Sequence, residues 1–375
     1  MEKISIKKEI TFWLILLLII PIIWILFDLF ITKIFFKVEN QNIYPRISSK
    51  IFHHTLDSNV NVIEENGRFG KTRLITNSIG FRDKEARKIY NETSKYRIVF
   101  IGGSYTEGFM VNYEDSFVGI IDKKLKKYNI DVLNAGVVGY SPSIYYAKIK
   151  YFLDKNFKFD ELIIYIDVED ITAEAFVDRL EVAKSFDSSV RGRYSIYVAF
   201  LKKNLSTTYK VLNFISDSID DLNRTSDNDE KKLDEFILGV VSGKTHGREM
   251  WTVDKEIYKI HENGVNKSLK YMKLLRDLCI ENNIKLTIAV FPHTTQIYYN
   301  DLDSIHVKIW KKFSLENDVN FINYFPYFID KKFSLEERIK VIKKYFRPFD
   351  IHPNNEASKL IADIFLKKFI PSLKN

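Results

Sequence analysis

The apolar positions of this chain fall into three regimes. From Phe12 to Ile31 they are almost unbroken, with Pro21 and Asp28 as interruptions. About 20 such residues cover the hydrocarbon core of a bilayer. A secretory signal has a shorter apolar run ending at a small-residue cleavage site, whereas Thr32-Lys-Ile-Phe-Phe36 follows here. The pattern predicts an uncleaved tail and transmembrane anchor over residues 1–36. Residues 37–90 show little periodicity and read as a lead-in segment.

From residue 91 the pattern changes to alternation. Arg97–Ile101, Asp131–Leu133 and Glu161–Ile166 are continuous runs rich in Ile and Val, the mark of parallel strands buried on both faces. Helical spacing predicts helices over Glu114–Tyr128 and Ser143–Asp154 between them. The alternation breaks over about 171–253, which reads as a mostly helical insertion. Its polar stretch Ser216–Glu230 predicts a mobile loop. It then resumes: a helix over Lys255–Asn282, a strand over Lys285–Phe291, a helix over Ile305–Leu315, a strand over Phe321–Asn323 and a last helix over Asn355–Phe369. Strand–helix alternation predicts an α/β fold over 91–370, a three-layer α/β/α sandwich with a central parallel sheet.

Charge changes this picture little. Lys and Arg number 57 against 49 Asp and Glu, a net charge of +8. Pairs such as Lys123-Lys124 and Lys126-Lys127 alternate with apolar residues at helical spacing, which predicts solvated helix faces rather than a nucleic-acid surface. Lys3, Lys7 and Lys8 before the anchor are balanced by Lys33, Lys37 and Arg46 after it. A short tail ahead of a first span usually stays inside, which puts the globular part outside the cytoplasm of a single-pass protein. The single cysteine, Cys279, lies in an apolar helical pattern and predicts a core residue. His53 and His54 are adjacent, a poor spacing for chelation from one helix face. No phosphate-binding loop or dinucleotide fingerprint occurs, so no cofactor is expected.

The candidate chemistry sits at strand ends. The strand Arg97–Ile101 runs into Gly102-Gly103-Ser104, which exposes Ser104 at the rim of the sheet and at the start of a helix. A backbone N–H there favours an oxyanion. Near the C-terminus, Asp350-Ile-His352 precedes the last helix, with Asn354 as that helix's natural cap. A hydroxyl, an imidazole and a carboxylate are the parts of an activated nucleophile. In open parallel sheets such groups meet beyond the carboxyl ends of the strands. Asn134-Ala-Gly-Val-Val-Gly139-Tyr140, Asp170 and His293 also follow predicted strands.

Ile101-Gly-Gly-Ser-Tyr-Thr106, Asn134-Ala-Gly-Val-Val-Gly139 and Asp350-Ile-His-Pro-Asn354 resemble three blocks of the SGNH/GDSL hydrolase superfamily, in the family's order. The match covers about residues 70–370 outside the insertion. Asn77-Ser-Ile-Gly-Phe-Arg-Asp83 also looks like a lead-in common in membrane-linked bacterial members. The resemblance implies an SGNH, flavodoxin-like fold, with Ser104 as nucleophile, His352 as base and Asp350 as its orienter. It implies an oxyanion hole from the N–H groups of Ser104 and Gly139. The family holds esterases, lipases, thioesterases and carbohydrate O-acetyl esterases or O-acyltransferases. A membrane-anchored esterase or acyltransferase acting on O-acetyl groups of a surface polysaccharide or glycolipid is the implied function. A lipase or thioesterase at the membrane surface, or an inactive glycan-binding or assembly protein, are the alternatives.

One departure stands out. Where the family's third block has an oxyanion-donating Asn, this chain has Glu169, followed by Asp170. An ionised carboxylate cannot donate, and losing one such donor costs about 3 kcal/mol. Three accounts are open: a replacement donor such as Tyr140 or the backbone near Asp167, a protonated Glu169, or an inactive site. His293 is a candidate substrate contact or a loop residue capping backbone. Arg82 is a candidate for binding an acidic sugar or for an ion pair. Tyr140, Tyr145 and Trp251 are candidates for stacking on sugar rings or for packing.

Overall fold

The computed structural model describes residues 2–35, 45–65, 69–184, 201, 204–222, 226–243 and 247–372. The chain divides into two compact units, Met1–Tyr44 with Ser189–Thr225, and Pro45–Ser188 with Ser226–Asn375.

The first unit is built on the helix Glu2–Phe35. Within it Lys8–Ile34 is long and apolar enough to cross a bilayer. Its apolar side chains, from Phe12 through Leu17 and Leu18 to Phe30, are exposed. A second helix, Ser206–Leu222, belongs to the same unit.

The second unit carries two antiparallel hairpins followed by a parallel sheet. The strands β1 (Arg46–Ser49) and β2 (His53–Leu56) form the first hairpin, β3 (Asn61–Glu65) and β4 (Lys71–Ile75) the second. The sheet contains β5 (Tyr96–Gly102), β6 (Ile130–Asn134), β7 (Glu161–Ile166), β8 (Lys285–Val290) and β9 (Asn320–Asn323). Their order is β6-β5-β7-β8-β9, and every pair is parallel. All five residues of β6 and all six of β7 are buried, which is why the pattern shows Val132-Leu133 and Leu162–Ile166 as apolar runs with no alternation.

Right-handed crossovers place helices on both faces. Phe117–Leu125 packs with the last helix, Asn355–Ser372, while Pro142–Asp154 and Val168–Phe176 pack with the long helix Lys255–Glu281. Lys123, Lys124, Lys126 and Lys127 are exposed and Leu125 is buried between them. Cys279 is buried, as its pattern predicts. The order reverses direction between β5 and β7, and a crevice at such a switch point is where ligands bind in doubly wound sheets.

Several elements differ from the sequence reading. The lead-in is not featureless: it holds both hairpins, and Arg82 bridges to Asn134 at the edge of β6. The helix Val168–Phe176 packs on the long helix, so the chain leaves the layered core only after Phe176. Ser216–Glu230 is not a loop where it is described. Its first part closes the helix Ser206–Leu222 and its last part opens the helix Ser226–Val241, and residues 223–225 lie outside the described residues. A further helix, Leu335–Tyr345, carries a capping box in which Ser334 and Glu337 satisfy each other's backbone N–H.

Candidate active site

Ser104 opens a one-turn helix, Ser104–Glu107, directly after β5. As its first residue, Ser104 has an N–H with no intrahelical acceptor. The approach is tight. A Cβ on Gly102 would lie 2.2 Å from Thr106 Oγ1 and 2.7 Å from the Tyr165 carbonyl oxygen, so only glycine fits there. Gly108 ends the turn in the left-handed region, its N–H donating to the carbonyls of Ser104 and Tyr105.

Ser104 Oγ lies 2.9 Å from His352 Nε2. His352 Nδ1 lies 2.5 Å from Asp350 Oδ1, and the His352 backbone N–H donates to the same oxygen at 2.7 Å. The row runs from hydroxyl to carboxylate across 246 residues of sequence separation between Ser104 and Asp350. Both His352 and Asp350 are half-buried, about 15 % exposed. Burial pushes the Asp350 carboxyl up, but the hydrogen bonds and charge of His352, with Arg347, outweigh this and hold it below its usual value. An ionised Asp350 fixes the His352 tautomer with its proton on Nδ1 and leaves Nε2 as acceptor for the Ser104 hydroxyl.

The loop carrying this pair is held from below. Tyr105 stacks against both Phe291 (4.7 Å between ring centroids) and His293 (4.8 Å), and its hydroxyl donates to the Ile351 carbonyl. Asn354 caps the last helix as expected, accepting from Glu356 N–H at 2.9 Å and Ala357 N–H at 3.1 Å.

The second wall is the loop after β6. Val137 N–H donates to the Gly102 carbonyl at 3.2 Å, drawing the loop onto the nucleophile turn. Val138 N–H donates to Glu107 Oε2 at 2.7 Å. The Val138 carbonyl accepts from His54 Nε2 at 2.7 Å. Gly139 has φ +77°, a conformation that explains glycine at this position. No described residue takes the Gly139 N–H.

His54 was not among the expected site residues. Burial, then the neighbouring His53, Arg179 and Lys148, pushes its imidazole down to about 3 despite the Val138 bond. It is therefore neutral, and since a carbonyl can only accept, Nε2 carries the proton. His53 Nδ1, 2.8 Å away, must then donate to His54 Nδ1. Its signal in the sequence was only that two histidines follow an anchor; its partner lies 84 residues away.

Three expected substrate contacts give way to buried structural roles. His293 is wholly buried, with Nε2 2.6 Å from Asp167 Oδ1 and Nδ1 2.9 Å from Glu249 Oε1. Burial opposes its charge, but the two carboxylates prevail and hold it protonated well above its usual range. Tyr140 is buried, its hydroxyl donating to the His54 carbonyl at 2.8 Å and accepting from Lys148 Nζ at 3.0 Å. Arg82 is buried and makes no ion pair among the described residues. Its guanidinium donates to the carbonyls of Glu107 (2.8 Å), Gly108 and Val111, clamping the end of the nucleophile turn. Trp251 and Tyr145 are likewise core: Trp251 Nε1 donates to the Val168 carbonyl and the Tyr145 hydroxyl to Asp170 Oδ2.

The replacement oxyanion donors are also committed elsewhere. The Tyr140 hydroxyl points away to His54, and Asp167 N–H donates to Asp170 Oδ2 at 2.7 Å. Asp170 is pressed by burial and then by the adjacent Asp167 charge, which drive its carboxyl well above the usual carboxylate range. A Cβ on Gly103 would lie 3.1 Å from its Oδ1. Glu169 is half-buried in the first turn of its helix, its N–H donating to Asp167 Oδ1 at 2.9 Å. Among the described residues no cluster of three or more metal-ligating side chains occurs.

No family model and no curated protein matches the chain. Solved structures resemble it in part. The psychrotrophic esterase EstA from Pseudoalteromonas sp. is 11% identical, with 75% of this chain and 100% of that one covered at a TM-score of 0.39. A GDSL-like lipase from Bacteroides thetaiotaomicron is 10% identical, covering 76% and 93% at 0.39. An acetylxylan esterase from Geobacillus stearothermophilus is 13% identical, covering 74% and 95% at 0.34. At these scores the likenesses carry no argument; the fold rests on the sheet order given above.

Proposed function

We propose that the chain is a membrane-anchored serine esterase or acyltransferase of the SGNH type. The observation that carries this reading is the hydrogen-bonded row from Ser104 Oγ through His352 to Asp350 at the switch point of the sheet. Ser104 Oγ attacks an ester carbonyl carbon while its proton passes to His352 Nε2. The carbonyl π electrons move to oxygen, and that oxyanion faces the N–H groups of Ser104 and Gly139. His352 then gives its proton to the departing alkoxide, and the acyl group stays on Ser104. Water or a sugar hydroxyl attacks the acyl-enzyme, losing its proton to His352, and Ser104 is restored. Asp350 orients the imidazole and stabilises its charged form throughout.

The substrate we assign is an O-acetyl group on a surface polysaccharide or glycolipid, processed outside the cytoplasm. Its support is the membrane-spanning character of Lys8–Ile34 together with the resemblance of the three sequence blocks. An open groove of about 480 Å³ beside the His352 loop, bordered by Phe69, Asn112, Arg347 and Asn354, offers polar and aromatic surface of the kind sugars use. The test is hydrolysis of p-nitrophenyl acetate by wild type and Ser104→Ala, with a fluorophosphonate label traced to its peptide. Activity lost in Ser104→Ala and label on Ser104 support the reading. Equal rates with glycan binding retained would favour a glycan-binding protein, a reading that Glu169 specifically favours.

A further inference from the structure

Asp28 is the one charged residue within the apolar run Phe12–Ile31, and the proposed chemistry has no use for it. A carboxylate at that depth in lipid costs several kcal/mol unless it is satisfied. Here it is buried and fully engaged. Asp28 Oδ2 accepts from Thr208 N–H at 2.7 Å and from Thr208 Oγ1 at 2.5 Å, and Oδ1 accepts from Thr207 N–H at 3.1 Å and Thr32 Oγ1 at 3.0 Å. Thr32 Oγ1 in turn accepts from Ser206 N–H at 2.9 Å, and Trp24 Nε1 donates to Thr208 Oγ1 at 3.0 Å. Asp28 is thus an N-cap supplied in trans, some 180 residues away in sequence. It occupies the positive end of the helix Ser206–Leu222, where it takes the first-turn N–H groups of Thr207 and Thr208.

That helix meets the anchor at Asp28, three residues before the end of the apolar run at Ile31 and six before Ile34, the last residue of the spanning segment. It exposes Val211, Leu212, Phe214 and Ile215, with Phe214 at 72%. At 100° per residue these four occupy about 160° of its circumference, a continuous apolar arc. An apolar face that starts near the end of a spanning segment lies where interfacial helices sit, at the boundary of the acyl chains and the headgroups. We propose that the helix Ser206–Leu222 is a second membrane element, embedded through this face in one leaflet of a phospholipid bilayer and pinned to the anchor by Asp28. The first turn of the helix is bonded to a residue of the spanning segment itself, which is what commits the arc to lipid rather than to a protein partner. The inference rests on the anchor spanning the membrane and is independent of the esterase chemistry.

The test uses the full chain in phospholipid vesicles, in a Cys279→Ala background. Single cysteines at Leu18, Lys210 and Phe214 carry an environment-sensitive fluorophore, read against brominated acyl chains and aqueous iodide. The label at 214 should lose most of its emission to brominated lipid and almost none to iodide, the label at 210 the reverse, with Leu18→Cys as the deep reference. Adding Asp28→Leu should release the helix, so that the label at 214 becomes open to iodide while that at 18 stays in lipid. A label at 214 that meets iodide in the parent, with 18 in lipid, overturns the proposal and spares the anchor. Iodide access at both positions overturns the anchor reading and this proposal with it. A label at 214 that stays in lipid after Asp28→Leu overturns the pinning role of Asp28.

Discussion

Val138 and Gly139 share one peptide plane, and this makes His54 a measurable positioning residue. The plane is rigid and trans, so its C=O and N–H point in opposite directions. Fixing the carbonyl on His54 Nε2, at 2.7 Å, aims the Gly139 N–H away from His54. His54→Ala removes that donor from a half-buried carbonyl, a cost of about 1 kcal/mol. At Gly139 the backbone is free to relieve it, because glycine adopts φ of either sign at little cost. Once the plane turns, one oxyanion donor is gone, worth about 3 kcal/mol or roughly a hundredfold in kcat. The loss should fall on kcat with KM little changed, because the N–H matters most when the oxyanion forms.

The assay is steady-state hydrolysis of p-nitrophenyl acetate, with a thermal melt of each variant to score folding separately. Some stability will be lost in His54→Ala, since the ring also packs edge-on against Tyr140 at 5.0 Å. His54→Gln keeps an N–H donor at similar reach and should recover most of kcat. Because the imidazole is held down to about 3, it is neutral across the working range, and the pH–rate profile should keep its shape in both variants. A folded His54→Ala enzyme within tenfold of wild type, under about 1.4 kcal/mol, would refute the account and leave Glu107, which holds the preceding Val137–Val138 peptide through Val138 N–H, as the group that fixes this loop. So would a His54→Gln enzyme as slow as the alanine variant.

Asp350→Asn should leave the melt nearly unchanged and cut turnover by about 10³–10⁴-fold, because an amide no longer selects the Nδ1-protonated tautomer; normal turnover would show that another group orients His352. Glu169→Gln should raise kcat by roughly tenfold, since an amide donates where a carboxylate opposes an oxyanion; an unchanged rate would place residue 169 away from the reacting oxygen. Stability should fall as pH drops from about 6.5 toward 4. His54 and His306, the latter also lowered by burial to about 4, stay neutral in the folded chain while the unfolded chain takes up their protons. His293 adds nothing to this slope, being protonated in both states there, and its contribution is lost only as pH rises through its raised folded value. Urea titrations at pH 4.5 and 7 check the sign, and His306→Asn should flatten the difference.

The parallel sheet was legible because its strands are buried on both faces and carry no competing period. β7 spans Glu161–Ile166 in the structure as in the apolar pattern. Ser104, Asp350 and His352 were legible because each sits on punctuation: two glycines after a strand, and a short polar loop before a helix. The hairpins over Arg46–Ile75 were not, since four- and five-residue strands of mixed burial give no sustained alternation. The helix Leu335–Tyr345 did announce itself through Ser334-Leu-Glu-Glu337, a capping box that the pattern reading passed over. His293 was legible only in part: it stands at the N-cap of the helix Thr294–Tyr298, the second of its two expected roles, but its burial was not foreseen. Its position after β8 suggested the rim, but what buries it is Glu249, reached from a turn 44 residues earlier. A charge made stable by a distant counter-charge leaves no local trace.

The lead-in segment is what makes the sheet's rim into a site. The nucleophile turn is four residues long, too short to hold its own shape, because nucleating a helix costs more than one turn returns. Its carbonyls must find partners outside it. Asn134 Nδ2 donates to the Thr106 carbonyl at 2.7 Å, and Arg82 takes those of Glu107 and Gly108. Arg46 pairs with the buried Glu107, whose other oxygen holds Val138 N–H, and His54 holds the Val138 carbonyl. Three residues between 46 and 82 therefore hold both the Ser104 turn and the Gly139 peptide, the two N–H sources of the proposed oxyanion hole. A planar, five-donor guanidinium reaches three carbonyls at once, which a lysine ammonium on a single stem does not match. The position of Ser104 relative to Gly139 is thus set by side chains that precede the first strand of the sheet. Reactive geometry at this rim is a property of the lead-in and the sheet together.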